Sequence, residues 1–123
     1  MNQNTKENPL EIRIHAFVMK LIKTIKEIHQ TLLNRNILSQ VLRSGTSIGA
    51  NFREAQECES RNDFIHKISI CKKESRESVY WLEILKELSP DKDTIIQDLI
   101  RETNEFVKIF AASISTAKKN AKL

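Results

Sequence analysis

Apolar residues recur every three or four positions through most of this 123-residue chain, which is the period of an α-helix that buries one face. Breaks in the pattern are rare, because the chain contains only two glycines and two prolines. Both prolines lie near predicted helix starts, where proline is tolerated. The sequence therefore predicts an all-α protein, and its length is that of one domain with a core of useful size.

Four helices are predicted, joined by short polar turns. The first extends from about Pro9 to Asn34, with Leu10, Ile14, Phe17, Leu21, Ile25, Ile28 and Leu32 facing inward. The second extends from about Ile37 to Glu57, with Leu38, Val41, Gly45, Ile48, Phe52 and Ala55 facing inward. The third covers residues 61–88 and buries Phe64, Ile68, Cys71, Ser75, Leu82 and Leu85. The fourth extends to about Lys119 and buries Ile96, Leu99, Thr103, Phe106, Phe110, Ile114 and Ala117.

Polar residues mark the predicted helix starts. Asn8, Ser60 and Ser89 are the expected N-caps, because a short polar side chain can accept hydrogen bonds from the free amides of the first turn. Helices of similar length with short turns favour an antiparallel up-down-up-down four-helix bundle over residues 9–120. We expect residues 1–8 to form a disordered N-terminal leader.

Both glycines lie four residues apart in the second helix, in a segment rich in small and polar residues. Small residues at helical spacing let another helix approach closely, and we expect such an approach at Gly49 in particular. The helix-packing and polar motif comprises Arg43, Ser44, Gly45, Ser47, Gly49, Asn51 and Glu54.

The third helix carries more apolar surface than one bundle needs. A second stripe, about 100° from the core stripe, contains Ile70, Trp81, Ile84 and Leu88, with Glu74 and Glu77 on the same side. Such a patch is typical of an oligomer interface; alternatively, the twist of the bundle or its end covers these residues.

An antiparallel register about a turn near residue 60 places Arg43 level with Glu77 and Ser47 level with Glu74. These pairs are candidates for charge-assisted hydrogen bonds within or between subunits. The alternative is solvated surface charge.

The net charge is +4, and most of it lies in the first 36 residues. Arg13, Lys20 and Lys23 follow one flank of the first helix, with Lys26 further round, and they are the candidate nucleic-acid-binding residues. Positive charge suffices for phosphate contacts, but no aromatic residue lies among these side chains, so base stacking is not indicated. A solvated helix face that aids solubility is the alternative.

Catalytic, metal and cofactor sites are not predicted. The chain has no Glu-x-x-His pair for a di-iron site, and its glycine pair follows no strand and lacks the ending of a phosphate loop. Cys58 and Cys71 are too far apart along the helices for a disulfide, so we expect reduced thiols in a cytoplasmic protein. We expect no membrane span, no membrane partner and no small-molecule substrate.

At these residues the chain resembles the 23S ribosomal-RNA intervening-sequence proteins, a family of four-helix-bundle proteins. The resemblance rests on Gln40-x-x-Arg43-Ser44-Gly45-Thr46-Ser47-Ile48-Gly49-Ala50-Asn51-Phe52-Arg53-Glu54-Ala55, then Phe64-Ile65, Glu74-x-x-Glu77 and Trp81-Leu82-Glu83-Ile84-Leu85. It implies a ring-like homopentamer. The family is also similar to the accessory proteins of diversity-generating retroelements, which partner a reverse transcriptase and associate with nucleic acid.

Together these features predict a non-enzymatic oligomeric scaffold or accessory protein that contacts RNA, DNA or a nucleic-acid enzyme, such as a reverse transcriptase, through a basic surface. The alternative is a protein-binding assembly module with no nucleic-acid role.

Overall fold

The computed structural model describes residues 8–121, with side chains through residue 120, and these residues form four α-helices. The helices are α1 (Pro9–Lys26), α2 (Arg35–Gln56), α3 (Arg61–Leu88) and α4 (Asp93–Ala121), and a 3-10 turn over Pro90–Lys92 leads into α4. No strand occurs within this range, as the apolar period predicts. Residues 1–7 of the expected leader lie outside the described residues.

Two of the three predicted N-caps are confirmed. The Asn8 side-chain oxygen accepts a hydrogen bond from the Leu10 amide at 2.8 Å, and the Ser60 hydroxyl accepts one from the Asp63 amide at 3.0 Å. The prediction for Ser89 is wrong, because its side chain makes no capping bond. The proline that follows disfavours helical geometry at Ser89, and the intervening 3-10 turn delays α4 until Asp93.

The first helix ends eight residues earlier than predicted, at Lys26. Residues 27–34 form a loop closed by the buried side chain of Asn34, which accepts from the Thr31 amide at 2.7 Å and donates to the His29 carbonyl at 2.9 Å. Such local side-chain bonds compete with helical ones. As a result Leu32, predicted to face inward, is 82% exposed.

The four helices are antiparallel neighbours in chain order, and α4 closes the bundle against α1. The Phe17 and Phe106 rings pack edge to face with centroids 5.3 Å apart, and the Ser44 hydroxyl lies 2.8 Å from that of Ser78. All six residues of the predicted α2 stripe are buried. Within the described range, no buried side-chain nitrogen or oxygen lacks a hydrogen-bond partner.

The two glycines of α2 differ in how tightly α1 packs on them. A Cβ at Gly45 would fall far inside van der Waals contact of Leu21 Cδ2, whereas one at Gly49 would lie 3.5 Å from the nearest Ile14 methyl and 3.8 Å from Val18. The packing of α1 at Gly49 is therefore looser than expected, with room for a Cβ, and the tightest approach occurs one turn earlier. A leucine side chain, packed directly against the backbone of α2, fills the space that Gly45 leaves.

Candidate functional site

One side of the bundle combines most of the predicted polar and interface residues. We call it the α2–α3 face and define it by Gln40, Arg43, Ser47 and Asn51 of α2 and Ile70, Glu74, Glu77, Trp81, Ile84 and Leu88 of α3. The antiparallel register brings these residues together, because residues whose numbers sum to about 120 lie level across the two helices, as the Arg43–Glu77 and Ser44–Ser78 contacts show.

Arg43 occupies the centre of this face and links it into one network. Its Nη1 donates to Glu74 Oε1 at 3.2 Å, its Nη2 pairs with Glu77, and its Nε donates to Gln40 Oε1 at 3.0 Å. The indole Nε1 of Trp81 donates to Glu77 Oε2 at 3.0 Å. The pairing of Arg43 with Glu77 matches the register predicted from sequence, and it lies within one chain. A partly buried, branched network of this kind sets helix register more reliably than it adds stability.

The second predicted pair, Ser47 with Glu74, is not formed. The Asn51 amide nitrogen donates instead to both the hydroxyl and the backbone carbonyl of Ser47, each at 2.9 Å. At the far end of α2, Glu54 accepts from Lys67 Nζ at 2.5 Å, a hydrogen bond that raises the pKa of the lysine.

The apolar part of the α2–α3 face is only half covered by the chain itself. Ile70, Trp81 and Ile84 are half-buried and Leu88 is 39% exposed. Tyr80, which the sequence analysis did not single out, packs edge to face on Trp81 with ring centroids 4.9 Å apart and is largely exposed. Its position directly beside the tryptophan on the outer side of α3 is the signal that could have identified it.

The basic residues along the flank of α1 fall into two groups, ion-paired Arg13 and the lysines. Arg13 Nε lies 3.1 Å from Glu102 Oε2, its Nη2 pairs with Glu105, and its guanidinium stands over the Phe106 ring at 5.2 Å. The hydrogen bond to Glu105 raises the pKa of Arg13 most, and Glu102 adds to the shift. Arg13 therefore fastens α1 to α4, and its charge is already neutralised.

The three lysines of the flank differ from Arg13 in their pairing. No ion pair among the described residues includes Lys20, Lys23 or Lys26. Carboxylates are nevertheless close by. Lys20 and Lys23 line an open cavity of about 540 Å³ whose other lining residues include Glu27, Asp91, Lys92 and Asp98. The local field is thus less positive than the sequence alone indicates.

The two thiols are free, and burial raises the pKa of Cys71 to about 12, while Cys58 is half-buried. Within residues 8–121, no three histidine, cysteine, aspartate or glutamate side chains converge as metal ligands would. None of the described helices is both long enough and apolar enough to cross a bilayer.

Comparison with known proteins identifies the family of this chain. The sequence description of the 23S rRNA-intervening sequence protein family matches residues 11–112. This chain belongs to that family. A crystal structure of a protein of unknown function from the S23 ribosomal protein family of Bacteroides thetaiotaomicron is similar, with a TM-score of 0.74 and 32% sequence identity over 85% of this chain and 96% of that one. Comparison with curated proteins finds no significant match. The family match spans all of α2 and α3 and therefore includes the whole α2–α3 face.

Proposed function

We propose that this protein is a non-enzymatic scaffold that associates with copies of itself through the α2–α3 face. The observation that carries the proposal is that half-covered apolar residues lie beside a network in which Arg43 is bonded to two carboxylates of the same chain. Trp81 and Ile84 can lose water against a partner. Arg43 already pairs with Glu74 and Glu77, so covering the network leaves no cation unpaired and one net negative charge, which a basic residue of the partner can offset.

The same geometry argues against a catalytic role for this face. Glu77 Oε2 accepts from both Arg43 and Trp81, which stabilises the charged carboxylate and weakens it as a base. Ser47 accepts from Asn51 and has no basic partner there. A nucleophile needs an adjacent base within hydrogen-bond reach, and the residues of this face do not provide that pair.

We propose five copies in a ring, because the resemblance implies a ring-like homopentamer. In a ring, each subunit presents one surface and receives a different one. The α2–α3 face would supply one of those two surfaces. A pentamer would also repeat every exposed lysine of α1 five times around its axis.

The self-association is tested by light-scattering mass after size exclusion. We expect a multiple of the chain mass for the wild type, and a lower mass with unchanged helical circular dichroism for Trp81→Ala/Ile84→Ser. Met19→Ser is the matched control, because Met19 is a half-exposed apolar residue of α1 outside this face. An unchanged mass for the double variant would refute the interface.

A second candidate function is sequence-tolerant nucleic-acid binding by the lysines of α1. It is supported by the absence of ion pairs at Lys20, Lys23 and Lys26 within the described residues. Arg13 is not included, because it is committed to Glu102 and Glu105.

Mixed-sequence RNA at low salt is the probe for this second function. Changing the three lysines to glutamine should weaken binding and make the plot of log affinity against log salt shallower by about 0.7 for each phosphate that the variant no longer neutralises. A matched control changes Lys108, Lys118 and Lys119 of α4, which are also exposed. No affinity at low salt, or equal weakening in both variants, would favour a purely protein-binding assembly module.

A further inference from the structure

The loop between α1 and α2 displays two leucines to solvent. Leu32 is 82% exposed and Leu33 is 76% exposed, more than any other large apolar side chain within the described residues. Single exposed apolar residues are common on proteins, but two adjacent leucines at this exposure form a patch that water solvates poorly.

The loop that carries these leucines is held in one conformation by hydrogen bonds. The Asn34 side chain bonds to the Thr31 amide and the His29 carbonyl. In addition, the backbone amide of Asn34 donates to the Thr31 hydroxyl at 3.1 Å. The buried Asn34 side chain therefore closes the loop on both sides of the leucines. Because the loop is already ordered, binding of a partner to Leu32 and Leu33 does not cost the entropy of ordering the loop backbone.

The leucine patch is continuous with the α2–α3 face. Leu88, the last residue of α3 and a member of that face, lines an open cavity of about 560 Å³ together with Leu32 and Leu33. Trp81, Ile84 and Leu88 follow one another at helical spacing, so an apolar surface extends from Trp81 along α3 and round the end of the bundle.

The exposed area of the patch indicates how much of an interface it can supply. Leu32, Leu33 and Leu88 together expose roughly 350 Å², if a fully exposed leucine presents about 180 Å², and a stable protein interface buries about 800 Å² on each partner. The patch alone supplies less than half of that area. The remaining area has to come from a neighbouring surface, and the α2–α3 face adjoins the patch at Leu88.

The polar rim of the patch favours a partner without strong net charge. Glu27 pairs with Lys92 at 2.8 Å, and Asp91 and His29 complete the rim, so both signs are present and partly neutralised. A polyanion or an anionic bilayer would gain little electrostatic attraction from such a rim. A second copy of this chain has a net charge of only +4, so it meets this mildly acidic rim without net repulsion.

We infer that Leu32 and Leu33 are anchor residues that a second copy of this chain buries, and that they extend the self-association surface from the α2–α3 face onto the α1–α2 loop. The inference rests on the proposed function for the identity of the partner. It adds two residues that lie outside the predicted interface.

The test is sedimentation equilibrium of four forms of the full chain over a range of concentrations: wild type, Leu32→Ser/Leu33→Ser, Trp81→Ala/Ile84→Ser, and the control Ile12→Ser/Met19→Ser. The control removes two half-exposed apolar residues of α1, and circular dichroism verifies that each variant stays helical. We expect the loop variant to raise the dissociation constant at least about tenfold. The control should stay within about twofold of the wild type.

The two proposals fail in different ways. A loop variant that associates like the wild type, while the Trp81 variant dissociates, overturns the inference and leaves the proposed function standing. Dissociation of the loop variant alone supports the anchor role and refutes the α2–α3 face as the interface. A wild type that is monomeric at every concentration refutes both.

Discussion

Substitution of alanine for Gly45 tests the tight packing between α1 and α2. Replacing an interior helical glycine with alanine contributes about 1 kcal/mol of helix propensity. At Gly45 the new methyl group collides with Leu21 Cδ2. Leu21 is buried in the core, so its side chain can move only by displacing neighbours, and overpacking of this kind costs roughly 1–3 kcal/mol. The free energy of unfolding should therefore fall by about 0–2 kcal/mol.

Gly49→Ala provides the matched comparison, because it makes the same chemical change one turn further along the same helix. Its new methyl group would meet Ile14 and Val18 at ordinary contact distances, so only the propensity gain of about 1 kcal/mol remains. The two variants should consequently differ by roughly 1–3 kcal/mol. Urea unfolding followed by circular dichroism at one fixed protein concentration measures both, since self-association would make stability depend on concentration.

A double-mutant cycle identifies the cause. Leu21→Ala alone should cost about 2–5 kcal/mol through the cavity it leaves. In the Gly45→Ala background it should cost less, because the new methyl group occupies part of that cavity and no longer collides. Equal stabilisation by Gly45→Ala and Gly49→Ala, or an additive cycle at Leu21, would show that the packing is loose and the reasoning wrong.

Three further predictions concern single side chains. Cys58 should react with a thiol reagent at pH 8 in the folded protein, and Cys71 only after unfolding, because burial raises its pKa to about 12; two fast thiols would contradict this. Asn34→Ala should lower the free energy of unfolding by about 1–3 kcal/mol by leaving loop backbone groups without partners, whereas Arg35→Ala, an exposed neighbour, should change little. Arg13→Met should cost no more than about 1 kcal/mol, since its pairs with two α4 glutamates are partly exposed, and it should leave RNA affinity unchanged; a loss of affinity would return Arg13 to the binding flank.

The helical period and the capping residues were enough to predict most of the fold from sequence. The bounds of α3 and the buried stripe of α2 are as predicted, because both depend on side-chain spacing within one helix. The end of α1 was wrong for a physical reason. Apolar spacing continues through Ile28 and Leu32, but the hydrogen bonds of Asn34 favour a closed loop over two more helical turns.

Contacts of the candidate site were predictable from sequence where a short turn fixes how two adjacent antiparallel helices align. The Arg43–Glu77 pair follows from a short turn and antiparallel geometry. Ser47 was paired wrongly, because Asn51, four residues along the same helix, lies nearer to it than Glu74 and satisfies its hydroxyl locally. The oligomer interface, the nucleic-acid role and the site residues assigned to them stay predictions that the proposed experiments address.

By itself, the sequence determined the helical class, the core stripes, the caps at Asn8 and Ser60 and the family motif, since each depends on residues within a few positions of one another. Only the tertiary structure decided which glycine receives a neighbouring side chain and that Arg13 is neutralised by α4. These outcomes depend on distances between residues tens of positions apart, and hydrophobic patterning does not encode them. The tertiary structure also decided the exposure of Leu32 and Leu33, because Asn34 closes the α1–α2 loop with these two side chains outside the core.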